Sequence, residues 1–235
     1  MTILRPLVTT LIDLLYPPAC WACRAPLERQ ADGFCGACAL VPLGNACPRC
    51  AEPQGPYVSP SDCENCRGRR LHFRHVLALG RYEGGLQTAI RRAKFGGEAA
   101  IWRWMGQALA EAAAQTPWTG GIDAVTPVPS TRRARFARGF NPAMLLARPV
   151  AGRLGRPLLH ALRRQDRGVP QVGLGRSARL ANVEGAFRAG QPDLFSGRRI
   201  LLIDDVMTTG ATVSACARAF MEAGAASVDV AVVGR

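Results

Sequence analysis

Residues 200–212, ILLIDDVMTTGAT, decide the fold of this chain. Four aliphatic residues lead into two adjacent acids, and a hydroxyl-rich turn with one glycine follows. We interpret this order as a buried β-strand, then a loop, then the start of a helix. Because the first N–H groups of a helix and the helix dipole attract phosphate, the loop is a candidate phosphate site. The stretch therefore predicts a phosphate site directly beside two carboxylates.

The residue types in this stretch fit a ribose 5-phosphate. Asp204 and Asp205 can accept hydrogen bonds from ribose hydroxyls, and carboxylates also bind magnesium. Gly210 lets the backbone approach the phosphate closely. The stretch is neither a Walker A motif nor a Rossmann fingerprint, because it lacks their glycine spacing. The predicted ribose-phosphate residues after the two acids are Met207, Thr208, Thr209, Gly210, Ala211 and Thr212.

The residues on both sides of this stretch alternate between strand-like and helix-like patterns. Such alternation is typical of an α/β fold with a parallel sheet wrapped by helices. Segments 127–140 and 165–179 are predicted to be loops. Strands are predicted at 74–81, 122–125, 158–162, 198–204 and 227–233, and helices at 86–95, 99–114, 142–153 and 211–223.

Eight of the nine cysteines form four CxxC pairs. Four thiolates from two such turns suit a tetrahedral zinc ion and leave no open position for catalysis, so we predict two structural zinc ions. The alternative interpretations of these cysteine pairs are disulfides, a redox dithiol and an iron–sulfur cluster. Since the chain shows no export signal, we expect it in the cytoplasm, where disulfides are rare. Sequential pairing gives the sets Cys20, Cys23, Cys35, Cys38 and Cys47, Cys50, Cys63, Cys66, and interleaved pairing fits the spacing as well.

The chain divides into three predicted parts. Residues 1–18 are expected to contain a short amphipathic helix from Ile3 to Leu15 that ends at Pro17-Pro18 and packs on its own protein. Docking of this helix on a membrane or a partner is the alternative. A double zinc ribbon at 19–70 and an α/β domain at 71–235 follow. Cys216, Trp102 and Trp104 are expected to be core residues. No apolar run is long enough to span a membrane.

Positive charge is concentrated in one block. The formal net charge is +13, and twelve arginines but only one acid, Asp166, lie between Thr131 and Arg179. This block indicates an anionic partner such as phosphate, a nucleic acid or an acidic membrane surface. A solvated basic face without a partner is the alternative.

ILLIDDVMTTGAT resembles the phosphoribosyl pyrophosphate (PRPP) motif of type I phosphoribosyltransferases. Together with the cysteine pairs, PVPSTRRARFARGFNP, QVGLGRSARLANVEGAF and the AKFGGE stretch around Lys94, it makes the chain from about Leu14 onward similar to the ComF family. Members of that family are late-competence proteins with a phosphoribosyltransferase-like domain behind zinc ribbons. The resemblance implies the type I phosphoribosyltransferase fold, PRPP and magnesium as ligands, and a link to DNA uptake.

The resemblance also implies roles for individual residues. Asp204 and Asp205 would hold the ribose hydroxyls as the catalytic acids, and the turn after the strand at 122–125 would hold pyrophosphate. Hypoxanthine–guanine salvage enzymes have an aspartate where this chain has Thr208, which argues against a 6-oxopurine acceptor. The implied pyrophosphate residues are Pro129, Ser130, Arg132, Arg133 and Arg138, and a mobile loop at 165–179 would add Arg176 and Arg179.

Three functions fit these observations. The first is a magnesium-dependent phosphoribosyltransferase of unknown acceptor. The second is a non-catalytic protein that senses PRPP or a nucleotide and binds single-stranded DNA. In the third, the zinc ribbons dock a helicase or channel component of the DNA-uptake machinery. Fold alone does not decide among them, and the sequence does not indicate an oligomeric state.

Overall fold

The computed structural model describes residues 18–28, 33–59, 62–160, 162–164 and 185–235. Two predictions lie outside the described residues. One is the N-terminal helix at Ile3–Leu15, and the other is the loop at 165–179 with Arg176 and Arg179.

A four-stranded parallel sheet is the centre of the α/β part, as predicted. Its strand order is β1-β6-β5-β2, and a separate antiparallel pair contains β3 and β4. Since all four strands of the main sheet run the same way, their carboxyl ends meet at one edge. The strands are β1 (Val76–Gly80), β2 (Ala124–Pro127), β3 (Leu162–Arg164), β4 (Phe187–Ala189), β5 (Arg199–Val206) and β6 (Ser227–Gly234).

Helices cover both faces of this sheet. Helices α1, α2 and α4 pack on one face and α5 packs on the other. The predicted helices at 86–95, 99–114, 142–153 and 211–223 are confirmed to within two residues. The five described α-helices are α1 (Gly84–Phe95), α2 (Ala99–Gln115), α3 (Arg132–Arg138), α4 (Pro142–Leu154) and α5 (Ala211–Glu222).

The prediction of a loop throughout 127–140 was wrong, because this segment contains α3. The Thr131 side chain caps that helix by accepting a hydrogen bond from the Ala134 N–H at 3.0 Å. Gly139, at φ 77°, ends it in the left-handed conformation that glycine tolerates best. The strand predicted at 158–162 was also misplaced, since Leu158 makes only an isolated bridge to Val125 and β3 begins at Leu162.

Alternate residues of β5 point into two separate hydrophobic clusters. Ile200 and Leu202 face α5, whereas Leu201 and Ile203 face α1, α2 and α4. Each such fully buried aliphatic side chain contributes about 1.5–3 kcal/mol of transfer free energy. This burial on both faces explains the unbroken apolar run of the opening stretch.

The structure confirms two of the three predicted core residues, and the third, Trp104, packs against the core without being fully buried. Trp102 and Cys216 are fully buried. Trp104 is half-buried and packs edge-on against Phe34, with ring centroids 5.3 Å apart. None of the helices in the described part of the chain has the length and apolarity that a membrane crossing requires.

Candidate functional site

The two acids of the opening stretch lie near the carboxyl end of β5. The Asp204 carboxylate accepts a hydrogen bond from the Asp205 backbone N–H at 2.9 Å. Lys94, near the end of α1, places its ammonium Nζ 2.9 Å from Asp205 Oδ1, and both side chains are largely buried. The ion pair therefore joins a helix on one face of the sheet to the centre of the candidate site.

Burial and, to a smaller extent, the charge of the neighbouring Asp205 raise the pKa of the Asp204 carboxyl to about 8. The Asp205 N–H, Lys94 and Arg164 act in the opposite direction. The two adjacent acids therefore bind a proton at a higher pH than an isolated aspartate would. This lets two carboxyl groups lie side by side while one ammonium balances the remaining charge.

The loop after β5 has the geometry of a helix N-terminal anion site. The Met207 N–H donates to the Gly234 carbonyl at 2.9 Å, and the Met207 side chain is buried, so the loop starts from a fixed point. Gly210, at φ 76°, turns the chain into α5. The first N–H groups of a helix have no backbone partners within it, which suits them to a phosphate. In α5 the Ala211 N–H donates to Thr209 Oγ1 at 3.3 Å, a long hydrogen bond that a phosphate oxygen would replace. Thr208 is exposed, and Thr209, Ala211 and Thr212 are half-buried.

The turn after β2 lies at the same edge of the sheet. The Val128 N–H donates to the Ile203 carbonyl at 2.8 Å, one residue before the acid pair. Asn141 holds the turn from the other side by donating to the Val128 carbonyl at 3.0 Å. The fold thus brings the turn at Pro129 and Ser130, 74–75 residues from Asp204 along the chain, to the same edge of the sheet as that acid.

The predicted pyrophosphate arginines occupy two environments. Arg132 and Arg133 are exposed on α3, just beyond the turn. Arg138 instead places its guanidinium carbon 5.6 Å from the centre of the Phe95 ring. Arg132 and Arg133 are therefore the two predicted pyrophosphate arginines that lie exposed near the turn, whereas Arg138 contacts an aromatic ring.

The cysteines form two four-residue clusters in sequence order, as the sequential pairing predicted. Within each cluster all four sulfur atoms lie within 4.8 Å of one another. Sulfur separations of 3.6 Å for Cys50–Cys63 and 3.8 Å for Cys47–Cys66 are close to the ~3.8 Å that a tetrahedral zinc ion with Zn–S bonds of ~2.3 Å requires. The residues present therefore fit a structural zinc ion in each cluster.

Both ribbons repeat the same local structure. We call residues 19–38 the first ribbon and residues 46–66 the second ribbon. The Cys20 N–H donates to the Ala25 carbonyl at 2.8 Å, and the Cys47 N–H donates to the Glu52 carbonyl at 2.9 Å. The residue after the second cysteine of each turn, Arg24 or Ala51, has a positive φ. The internal repeat read from the sequence is thus a structural repeat.

One thiol in each ribbon, Cys20 or Cys50, has a pKa below that of an ordinary cysteine. Burial opposes ionisation of Cys20, but backbone N–H groups of Cys23 and Cys35 lower its pKa to about 6. In the second ribbon, burial again opposes ionisation, while the Asn65 side chain and the Glu52 N–H lower the pKa of Cys50 to about 7. Thiolates are the form that binds zinc.

An arginine anchors each ribbon to the α/β domain. Arg92 of α1 donates to the carbonyls of Trp21 and Ala22 at 2.9 and 3.0 Å, within the first CxxC turn. Arg235, after β6, donates from Nε to the Cys50 carbonyl at 2.8 Å. Its two terminal nitrogens reach Glu52 and the carbonyls of Met207 and Thr208, and its side chain is only 4% exposed. The second ribbon is therefore tied directly to the phosphate loop.

Sequence reasoning missed Arg235 and gave Lys94 no role. Each of the two residues is distinctive in the sequence. Lys94 is the only lysine in the chain, and Arg235 directly follows a predicted strand, which the structure pairs with β5. Neither signal identifies the partner, since each contact spans more than 25 residues of sequence.

Comparison with known proteins agrees with this architecture. Residues 11–67 match the family model described as a double zinc ribbon domain, and residues 137–234 match that of the phosphoribosyl transferase domain. The DNA utilization protein YhgH of Escherichia coli O6:H1 is 30% identical over 223 residues, which cover 92% of this chain and 96% of the relative. The chain belongs to the ComF family.

A second relative is named as a competence protein. Competence protein ComFC of Bacillus subtilis is 30% identical over 214 residues, covering 89% of this chain and 81% of that protein. Among solved structures, glutamine PRPP amidotransferase from B. subtilis is 22% identical with a TM-score of 0.39, covering 58% of this chain and 26% of that one. The ComF assignment rests on the sequence relatives, since so low a TM-score supports no conclusion.

Proposed function

We propose that this ComF protein binds PRPP with magnesium and transfers its phosphoribosyl group to an acceptor. The observation that carries the proposal is the convergence of three features at one edge of the sheet. These are the acids that end β5, the N–H groups that begin α5 and the turn that follows β2. Each has the chemistry that one part of PRPP requires, namely hydroxyls, 5-phosphate and pyrophosphate.

In this proposal each group has a defined task. The N–H groups of Gly210, Ala211 and Thr212 hold the 5-phosphate, with hydroxyl donors from the threonines. Asp204 and Asp205 hold the ribose hydroxyls and orient the ribose ring. Lys94 fixes Asp205 in position through the 2.9 Å ion pair. The ligand is thereby held at three points before any bond changes.

The pyrophosphate end is proposed to lie on the turn at Pro129 and Ser130, with Arg132 and Arg133 nearby. Positive charge there stabilises the departing pyrophosphate while positive charge develops at the ribose carbon 1. Magnesium, when bound, supplies more of this charge, and the carboxylate oxygens of Asp204 and Asp205 are the donors in the site that suit it. We also propose that the ribbons, at 19–70, and the α/β domain, at 71–235, act as separate domains joined at this site.

Titration calorimetry of the zinc-loaded protein with PRPP and magnesium tests the proposal. Wild type should bind saturably, and Asp204→Asn combined with Asp205→Asn should weaken binding about 100-fold or more, because two charge-assisted hydrogen-bond acceptors are lost. Asp193→Asn makes the same chemical change at an exposed acid before β5, at the opposite edge of the sheet, and should bind normally. Absence of binding by wild type would sink the proposal.

One observation favours a second function, the binding of single-stranded nucleic acid. Helix α3 has no buried residue and carries four arginines, and its Phe136 side chain is 94% exposed. Exposed rings among arginines suit base stacking beside a phosphate backbone. The relatives' names refer to DNA utilization and competence.

Fluorescence anisotropy with a labelled oligothymidine tests this second function. Phe136→Ala should weaken binding about tenfold, and the affinity should fall steeply with salt. Tyr57→Ala, which removes a ring that is 99% exposed on the second ribbon, is the matched control and should leave binding unchanged. Equal effects of the two substitutions would argue against α3 as the contact.

A further inference from the structure

A groove of about 750 Å³ runs along the side of α5 that faces away from the sheet. One of its walls is a stripe of α5 between Ala211 and Glu222, and the other is the linker, residues 69–72, between the second ribbon and β1. We call this feature the α5 groove. Its volume lies within the range of small-molecule sites. Of the residues assigned above to PRPP only Ala211 lines it, so the proposed transfer leaves the groove without a role.

The linker is held in place on both sides. Arg49 donates to the Leu71 carbonyl at 2.7 Å, and the Leu71 side chain is buried in the cluster with α5. On the side of α5, the His72 N–H donates to Ser214 Oγ at 3.2 Å, and His72 Nδ1 lies 3.3 Å from the same oxygen. Ser214 is itself buried. The groove therefore has preformed walls, which lowers the entropic cost of binding a ligand.

The charges of the α5 groove are not balanced. Three arginines and one acid line it. The acid, Glu222, accepts a hydrogen bond from Arg218 Nε at 2.7 Å, so its charge is already matched. Neither Arg69 nor Arg70 is within ion-pair distance of a carboxylate in the described part of the chain. The linker thus presents two adjacent positive charges without an acidic partner.

One of these two arginines is oriented by neutral oxygens. Arg69 Nη1 donates to the Asn65 carbonyl at 3.1 Å and to the Asn65 side-chain oxygen at 2.7 Å. These contacts position the guanidinium group but do not neutralise it. Arginine is suited to phosphate because its planar group donates two parallel hydrogen bonds to two phosphate oxygens. A phosphate monoester carries close to two negative charges at neutral pH, which matches the two arginine charges.

The rest of the groove can hold an organic group. Ala215 lies on the stripe of α5, and Met221 is exposed at its far end. A methionine thioether makes favourable contacts with aromatic rings. From Ser214 to Met221 the helix rises about 10 Å, so a ligand that contacts both ends must extend well beyond its phosphate. Inorganic phosphate alone would leave most of the groove unfilled.

We propose that the α5 groove binds a small molecule that carries a phosphate monoester and a flat ring, the chemistry of a nucleoside monophosphate. The phosphate lies on Arg69 and Arg70, and the ring lies against Ala215 and Met221. This site is separate from the PRPP site, which lies at the carboxyl edge of the sheet. The inference therefore does not depend on the proposed phosphoribosyl transfer.

Equilibrium dialysis of the zinc-loaded full chain with labelled AMP tests this inference. The protein carries Asp204→Asn with Asp205→Asn, so that the proposed ribose contacts of the PRPP site are removed. Arg70→Gln in this background should weaken AMP binding about tenfold, because charge-assisted hydrogen bonds to the phosphate are lost. Arg70 is the residue to change, because Arg69 also borders the space beside Thr208. Arg103→Gln, at an exposed arginine of α2, is the matched control and should bind AMP as before.

A second substitution tests the ring contact. Met221→Ala should weaken AMP binding about threefold and leave the binding of inorganic phosphate unchanged. Adenosine and inorganic phosphate, as separate probes, should each bind at least tenfold more weakly than AMP. Both Arg70 and Met221 are exposed, so neither substitution removes a core side chain.

Four results would overturn the inference. The first is no binding of AMP, and the second is equal binding by the Arg70→Gln and Arg103→Gln proteins. The third is inorganic phosphate that binds as tightly as AMP, which would leave no part for the ring. The fourth is a 5′-phosphorylated oligothymidine that displaces AMP at a lower concentration than unlabelled AMP does, which would assign the groove to a nucleic-acid end.

Discussion

The two zinc ribbons have the same local structure but different positions relative to the candidate site. The first ribbon packs in the cluster with α1 and α2, and Arg92 reaches its CxxC turn. The second ribbon packs in the cluster with α5, and Arg235 joins its turn to the phosphate loop. A repeated module thus packs in the hydrophobic clusters on both faces of one sheet, and among the described residues only the second copy is joined to the loop by an arginine. The expected role of each ribbon therefore depends on where it lies relative to the phosphate loop, because the local structure of the two ribbons is the same.

The largest expected effect comes from removing one zinc site at a time. Cys47→Ser with Cys50→Ser should lower PRPP affinity at least 100-fold, because the second ribbon holds the phosphate loop and its zinc contributes folding free energy. Cys20→Ser with Cys23→Ser should change affinity less than about fivefold. Calorimetry below the unfolding temperature of both variants measures the difference. Equal losses would remove the distinction between the ribbons.

Next in size is the effect of the two anchoring arginines on stability. Arg235→Met leaves Glu52 and three backbone carbonyls without their buried donor, so the free energy of unfolding should fall by about 3–5 kcal/mol. Arg92→Met should cost about 1–3 kcal/mol, since that side chain is partly exposed. Urea unfolding compares the two. A larger loss for Arg92→Met would reverse the expected order.

Lys94 provides an indirect link from the first ribbon to the site, through α1 and the ion pair with Asp205. Lys94→Met removes the charge that opposes the raised pKa of Asp204, so a larger fraction of Asp204 should be protonated and PRPP affinity should fall about tenfold. Lys94→Arg keeps the charge and should recover most of the affinity. Titrations of both variants check this, and an unchanged affinity for Lys94→Met would break the link.

The smallest expected effect is on the rate of zinc release. Three of the four cysteines of the second ribbon are buried, whereas Cys23 of the first ribbon is exposed. A chelator should therefore remove the first zinc ion several times faster than the second. Release followed in the two double-serine variants assigns each phase to a ribbon. A faster phase from the second ribbon would contradict the burial argument.

The sequence predicted those features whose signals are local. The apolar run of β5, the acids and the Thr-Thr-Gly loop are contiguous, and each CxxC turn is complete within four residues. Helix α3 was missed because an arginine-rich segment of seven residues lacks the apolar periodicity of a packed helix, although its Thr131 cap and Gly139 are visible in the sequence.

The contacts between distant segments could not be predicted. Arg235 bonds to Cys50, 185 residues away, and Lys94 pairs with Asp205, 111 residues away. A pattern along the chain does not encode which elements meet, so neither contact has a sequence signal that identifies its partner.

A crystal structure of the zinc-loaded protein with PRPP and magnesium tests the central claim most directly. The account predicts the 5-phosphate on the N–H groups of Gly210 to Thr212, the ribose hydroxyls on Asp204 and Asp205, and the pyrophosphate beside Pro129 and Ser130. PRPP bound elsewhere, or with its pyrophosphate on the N–H groups of α5, would contradict the account.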